Sequence, residues 1–176
     1  CIENGAQMIN WKDRKTAHSQ IIDGDWSIGY GMAVGAWNAG RGTASAGIQM
    51  QKDGTITVQT AMTDIGTGTG ISMQNIAHEN TGISKSKINI ELGNSNLPPA
   101  PSQGGSNGLS SIGGAVVAAV SALKLKLAAY MAVQNEAYQN AAPADILLSD
   151  TGISLKTPNE QFMSYASLWE KSNLDI

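Results

Sequence analysis

The sequence predicts an α+β fold in which antiparallel strands pack against helices. Two hairpin signals support this class, since the turn sequences Asp53-Gly54 and Asp150-Thr151-Gly152 each separate two apolar stretches. A third observation is a long helical pattern, in which apolar side chains recur every three or four residues. Its members are Val116, Val120, Leu123, Leu127 and Met131.

The N-terminal stretch is polar and predicts little regular structure. We expect a short helix around Asn4–Trp11 and then a surface connector that ends in the turn signal Asp23-Gly24-Asp25. Ile28–Val34 is small and apolar. Two alternating stretches, Ala46–Gln51 and Thr55–Ala61, then predict the strands of the first hairpin, and β-branched residues are frequent in the latter.

A glycine-rich loop, Asp64–Gly70, follows this hairpin and leads into a helical pattern. Gly82 is the predicted C-cap of that helix, and Ile88–Leu92 alternates as a further strand. The apolar residues that fall on or near one face of the helix are Ile71, Met73, Ile76 and Ala77.

A second glycine-rich stretch, Ser102–Gly108, closes a long loop and leads into the long helix. We expect this helix to end near Asn140, before Pro143, and Ser164 to cap a short final helix. The apolar runs of the chain are interpreted as too short to span a membrane.

The organisation along the chain predicts three segments. Residues 1–26 form a short helix and connector, residues 27–148 an α+β segment with both glycine loops, and residues 149–176 the hairpin end and a short helix. The last segment is expected to lead into a missing C-terminal part, so we expect a piece of a longer protein.

Only 14% of the residues are charged, well below the usual quarter of a soluble domain. Either other parts of a larger protein cover the surface, or this is an ordinary low-charge domain.

Charge and cysteine content exclude several function classes. The formal net charge is −3, and no basic run with interleaved aromatic residues occurs, which argues against nucleic acid and membrane partners. Cys1 is the sole cysteine, so an internal disulfide or a thiolate metal cluster is excluded. His18 and His78 have no second ligand at metal spacing, and no catalytic or metal-binding residue is assigned. Neither cytoplasm nor periplasm is indicated.

The two glycine loops are the strongest functional signal. Each offers backbone N–H groups and short hydroxyls where a helix begins, which suggests one cradle for a phosphorylated cofactor. Because both loops must reach one cofactor, we expect them to lie near each other and near two helix N-termini. The alternative is a pair of tight turns without a ligand. The first loop lacks the Lys-Ser/Thr ending of a P-loop. We expect the strand before it to belong to a hairpin and not to a βαβ unit with a parallel sheet, unlike a dinucleotide-binding fingerprint.

Two charged residues accompany the loops. Asp64 is expected to fix the first loop by bonding its own backbone, with an acid–base role as the alternative. Arg41, framed by Gly40 and Gly42, is either solvated or reaches into a pocket to bind an anion.

An ordered set of motifs along residues 1–175 resembles a known family, the molybdenum-cofactor-binding large subunit of the xanthine dehydrogenase / aldehyde oxidase family. The motifs that carry this resemblance, in chain order, are Gly29–Ala33, Ala44–Ala46, Asp64–Thr69, Gln74–Ala77, Glu79, Thr81–Ile83, Ile90–Asn94, Leu97–Pro101, Gly104–Ser106, Gly113 and Ala115-Val116.

The resemblance implies roles for both loops. Those residues would wrap the pterin and phosphate portion of molybdenum-molybdopterin, alone or in a dinucleotide form. The parent protein would hydroxylate a carbon of an aldehyde or N-heterocycle with oxygen from water. Electrons would leave through iron–sulfur clusters and FAD on other domains or subunits. The cofactor-binding residues implied by the resemblance are Gly66, Thr67, Gly68, Thr69, Gly104, Gly105 and Ser106.

The chain departs from the family pattern in three places. The family's Gly-x-Gly-Glu and Arg-Gly-Phe/Pro-Gly motifs do not occur, and Gly108 stands where the family often has Thr or Ser. We therefore expect the isolated chain to be inactive and free of cofactor, with the remainder of the same subunit as its partner. The rival hypothesis is a non-catalytic binding or interaction module that keeps the fold without the cofactor.

Overall fold

The computed structural model describes residues 1–15, 21–133, 136–156 and 162–171. They divide into two units, Cys1–Trp37 and a larger unit that begins at Asn38. The predicted segment boundaries at residues 26 and 148 stay predictions, and His18 lies outside the described residues.

The first unit holds a short helix and a short hairpin. Helix α1 (Ile2–Met8) ends before the predicted Trp11, because Asn10 adopts a left-handed conformation with φ 50°. A short 3-10 helix follows at Trp11–Asp13. Strands β1 (Ile22–Asp23) and β2 (Trp26–Ser27) pair antiparallel around the predicted turn, which is thereby confirmed.

The second unit begins with a mixed three-stranded sheet. Strands β3 (Gly47–Met50) and β4 (Ile56–Thr60) form the predicted antiparallel hairpin. Strand β5 (Ile88–Leu92) pairs parallel with the other edge of β4. The expectation that β4 belongs to no parallel βαβ unit was therefore wrong. A central strand has two edges, so β4 is at once a hairpin strand and the first strand of a βαβ unit.

Helix α2 (Thr69–Thr81) is the crossover of that βαβ unit and begins at the first glycine loop. Gly82 has φ 83° and donates its N–H to the carbonyl of His78, which confirms the predicted C-cap. Met73 and Ala77 are buried as predicted. Ile71 is 69% exposed, so its predicted place on or near the same face as Met73 and Ala77 was wrong. It lies two residues from Met73, which places it about 200° around the helix.

Helix α3 (Gly108–Ala132) packs against α2, and all five members of the predicted apolar pattern are buried. It ends at Ala132 and not near Asn140, because Glu136–Tyr138 forms a 3-10 helix that buries Tyr138. The expectation that no apolar stretch could span a membrane was also wrong, because α3 is long and apolar enough by length and composition alone. Core helices of soluble proteins pass the same test.

A second sheet completes this unit. Strands β6 (Ile146–Leu148), β7 (Gly152–Leu155) and β8 (Met163–Ser164) pair antiparallel, and helix α4 (Tyr165–Lys171) follows. Ser164 Oγ accepts a hydrogen bond from the Ser167 N–H at 3.2 Å, which confirms the predicted N-cap. Helices with antiparallel and mixed sheets confirm the α+β class.

Candidate functional site

The two glycine loops lie side by side at the starts of α2 and α3. The Gln103 amide nitrogen of the second loop donates to the hydroxyls of Thr69 and Thr67 in the first loop, at 3.2 and 3.4 Å. Both loops line one cleft of about 330 Å³. The prediction that the loops lie close to each other and to two helix N-termini is confirmed.

Most of the predicted cofactor-binding residues line this cleft. Thr67 and Thr69 contribute from the first loop, and Gly104, Gly105 and Ser106 contribute from the second. The remaining two, Gly66 and Gly68, shape the first loop from outside the lining, both at positive φ (94° and 77°). Contact of these seven residues with a cofactor stays a prediction.

Asp64 organises the first loop from within. Its carboxylate accepts hydrogen bonds from the N–H groups of Gly66, Gly68 and Gly70 at 2.9, 3.2 and 3.2 Å. These bonds hold the pKa of Asp64 below its ordinary value of 3.8, and the bond from the Gly70 N–H has the largest effect. The predicted structural role of Asp64 is confirmed. It also means that an internal carboxylate already occupies the backbone donors expected to bind a phosphate.

Acid should therefore loosen this loop. A lowered pKa means that the stabilising bonds are fully present above pH 3.8 and are lost as the pH falls through the still lower pKa of the folded state. We expect Asp64→Ala to loosen the first loop already at neutral pH. Hydrogen exchange at the Gly66, Gly68 and Gly70 amides should then be faster than in the wild type. Asp53→Ala, which removes a comparable bond to the Thr55 N–H, is the control. Unchanged exchange in Asp64→Ala would contradict this role.

The second loop differs because its helix end is open. Gly105 and Ser106 both have positive φ (58° and 56°), inside a turn closed by the Asn107 N–H and the Gly104 carbonyl at 3.2 Å. Positive φ at both central residues is the pattern of a type I′ turn. No described side chain caps α3, whose N-cap residue is Asn107. The first N–H groups of a helix have no intrahelical partner, so α3 presents donors without a competing carboxylate.

Hydrogen bonds connect the segment Gly40–Gly42 to the first turn of α3. Ser110 donates its hydroxyl to the Gly40 carbonyl, and the Gly42 N–H donates to Ser111 Oγ at 2.9 Å. The exposed Arg41 lies against α3, where a Cβ on Gly114 would come within 2.8 Å of Nη2. Both interpretations of Arg41, solvated or anion-binding, stay open.

His78 has a structural explanation. Its Nδ1 lies 2.7 Å from the carbonyl oxygen of Ile83, within the turn that ends α2. Among the described residues, no group of three His, Cys, Asp or Glu side chains converges to hold a metal ion.

Two residues of the cleft were not singled out by the sequence pattern, Gln103 and Asn107. Each buries a side-chain oxygen without a hydrogen-bond partner among the described residues. The sequence did contain a signal for both residues, which is their place inside a glycine-rich stretch. A large polar side chain among small residues is expected to make a specific contact.

Comparison with known proteins identifies relatives of this chain. The molybdopterin cofactor-binding domain family matches residues 4–175. The aldehyde oxidoreductase molybdenum-binding subunit PaoC of Escherichia coli (strain K12) is 33% identical over 141 residues, covering 80% of this chain and 19% of that protein. The putative xanthine dehydrogenase molybdenum-binding subunit XdhA of the same strain is 30% identical over 95 residues, covering 51% of this chain and 12% of that protein.

A solved structure shares the fold. Reconstituted CO dehydrogenase from Oligotropha carboxidovorans aligns with a TM-score of 0.56 at 24% identity, over 74% of this chain and 16% of that chain. The part of this chain that aligns with PaoC spans about a fifth of the length of that protein. With nearly its whole length matched by the family, this chain belongs to the molybdopterin cofactor-binding domains, in the group that includes molybdenum-binding subunits of aldehyde oxidoreductases and xanthine dehydrogenases.

Proposed function

We propose that this chain forms part of the molybdenum-cofactor site of an oxidoreductase subunit, holding the pterin and phosphate portion of molybdopterin. The observation that carries the proposal is the single cleft lined by both glycine loops at two helix N-termini. This cleft lies inside the region that the family matches.

The second loop fits a phosphate group. A Cβ on Gly104 or Gly105 would meet nothing within 4 Å, so a ligand can approach their backbone closely. The uncapped start of α3 and the Ser106 hydroxyl add donors of the kind that phosphate oxygens accept. We therefore assign the phosphate to Gly104, Gly105 and Ser106.

The first loop fits a different part of the ligand. The Asp64 carboxylate would repel a phosphate, and it already holds three of the loop's N–H groups. Thr67 and Thr69 present hydroxyls to the cleft, which can accept hydrogen bonds from the amide and amino groups of a pterin. We assign Gly66 and Gly68 to the backbone shape that presents these hydroxyls.

The names of the relatives support an oxidoreductase activity for the complete subunit. When bound, the molybdenum cofactor would supply the oxidative hydroxylation of a carbon in an aldehyde or N-heterocycle with oxygen from water. The residues of this chain would bind and orient the cofactor. The remainder of the same subunit, together with iron–sulfur and FAD modules, would complete the electron path. A net charge of −3 supports a function without nucleic acid.

Metal and pterin analysis of the complete subunit tests the proposal against the rival, a non-catalytic module. We expect both molybdenum and pterin in the purified subunit. A folded wild-type subunit that contains neither would favour the rival hypothesis.

A loop variant localises the cofactor within the subunit. Gly104→Val places a side chain in open space and needs no positive φ, so we expect little change in thermal midpoint but loss of most pterin and molybdenum. Gly35→Val, which also meets open space in the first unit, is the control. Full pterin content in Gly104→Val would show that the cofactor does not contact this loop.

A further inference from the structure

Gln103 lies between the two loops and contacts both. It belongs to the second loop, yet its Nε2 reaches Thr69 Oγ1 at 3.2 Å and Thr67 Oγ1 at 3.4 Å. The two hydroxyls are 3.3 Å apart, so one amide group holds both. This contact fixes the first turn of α2 relative to the second loop.

The same amide explains a glycine at the start of α3. A Cβ on Gly108 would clash with Oε1 of Gln103 and would lie 2.8 Å from its Cδ and Nε2. Gly108 is not among the residues with positive φ, so its backbone does not require glycine. Alanine would be the better helix former. A side chain at residue 108 therefore requires the Gln103 amide to leave its contacts with Thr67 and Thr69.

Fold stability alone is a weak explanation of this pair, because the two hydrogen bonds of the Gln103 Nε2 come with an unfavourable buried oxygen on the same amide. Gln103 Oε1 is buried and has no hydrogen-bond partner among the described residues, which is unfavourable for folding. Gly108, the first residue of α3, also loses more conformational freedom on folding than alanine would. A short apolar residue at position 103 with alanine at position 108 would avoid both. Both residues line the cleft between the loops, which points to a role in that cleft.

We infer that Gln103 is a positioning residue for the cofactor, and that Gly108 is glycine to make room for it. The inference rests on the proposed function. The amide sets the separation between the Thr67 and Thr69 hydroxyls and the Gly104–Ser106 turn, so that one pterin-phosphate ligand can contact both loops.

The first test removes the amide but keeps the length of the side chain. In the complete subunit, Gln103→Met is expected to weaken pterin binding about tenfold, the lower end for two lost hydrogen bonds, and so to retain less pterin than the wild type. Its thermal midpoint is expected to stay unchanged, because the unpartnered oxygen disappears together with the bridge. Pterin is measured by the fluorescence of the oxidised, acid-released product. Full pterin content in Gln103→Met would overturn the inference.

The second test separates packing from positioning. Gly108→Ala alone should lower both the thermal midpoint and the pterin content, because its Cβ clashes with Gln103. Adding Gln103→Ala removes the clash, so we expect the midpoint to recover while the pterin content stays low. Recovery of both in the double variant would show a packing role only.

The Gly104→Val subunit distinguishes failure of this inference from failure of the proposed function. Low pterin in Gly104→Val with normal pterin in Gln103→Met overturns only the role of Gln103. Normal pterin in Gly104→Val overturns the assignment of the cofactor to the second loop, and the role of Gln103 with it. Low pterin in both variants, each with an unchanged thermal midpoint, supports both.

Discussion

Gly105→Val is expected to empty the cofactor site of the complete subunit. Gly105 has φ 58°, a conformation that a β-branched residue strongly disfavours, and a Cβ there would project into open space beside the cleft. The turn would shift, and the side chain would hold a phosphate away from the backbone donors. Each charge-assisted hydrogen bond contributes about 1.5–3 kcal/mol, so losing two would weaken binding by about two to four powers of ten.

Gly24→Val is a closely matched control for this variant. Gly24 also has φ 58°, and a Cβ there also meets nothing within 4 Å, but the residue lies in the hairpin of the first unit. Both variants therefore carry similar backbone strain, and only Gly105→Val should lose molybdenum and pterin. Equal loss in the two variants would attribute the effect to general destabilisation.

Local signals in the sequence predicted most of the elements. Turn residues located both hairpins, and the spacing of Val116 to Met131 identified the buried face of α3. Gly82 and Ser164 marked a helix end and a helix start. Such features depend on neighbours within about one turn, so composition and spacing are sufficient to find them.

The features that were missed depend on contacts between distant residues. The parallel pairing of β4 with β5 depends on which edge of β4 is free, which no local pattern records. The end of α3 depends on the burial of Tyr138. In the site, the proximity of the loops was predictable from the requirement of one shared ligand. The bridge from Gln103 to Thr67 and Thr69 was not, because it joins residues more than thirty positions apart.

The first loop shows how a correct local prediction can alter a functional one. That Asp64 bonds its own loop was predicted, and the structure confirms it. The same bonds remove the donors for which a phosphate would compete. The two glycine-rich loops therefore differ in their electrostatics: the Asp64 carboxylate occupies the N-terminus of α2, whereas no described side chain caps the N-terminus of α3.

Gly54→Ala is expected to be strongly destabilising, because the buried Gly54 of the first hairpin packs against Tyr165 of α4 and the Asp150 turn. A Cβ on Gly54 would lie 2.7 Å from Cδ2 of Tyr165 and 2.8 Å from the Asp150 carbonyl oxygen. Tyr165 is buried, and its hydroxyl donates to the Ser149 carbonyl at 3.0 Å, so the ring cannot move aside cheaply.

The expected loss in unfolding free energy combines two terms. The left-handed φ of 84° at Gly54 costs about 1–2 kcal/mol for a non-glycine residue, and overpacking adds about 1–3 kcal/mol. Gly93→Ala is the matched control, because Gly93 has φ 75° but its nearest neighbour, Thr63 Cγ2, is 3.9 Å away. It should therefore show the first term alone. Urea unfolding of the two variants measures the difference between their unfolding free energies. Equal losses would mean that Tyr165 moves to accommodate the new methyl group and that the contact between Gly54 and Tyr165 is not tightly packed.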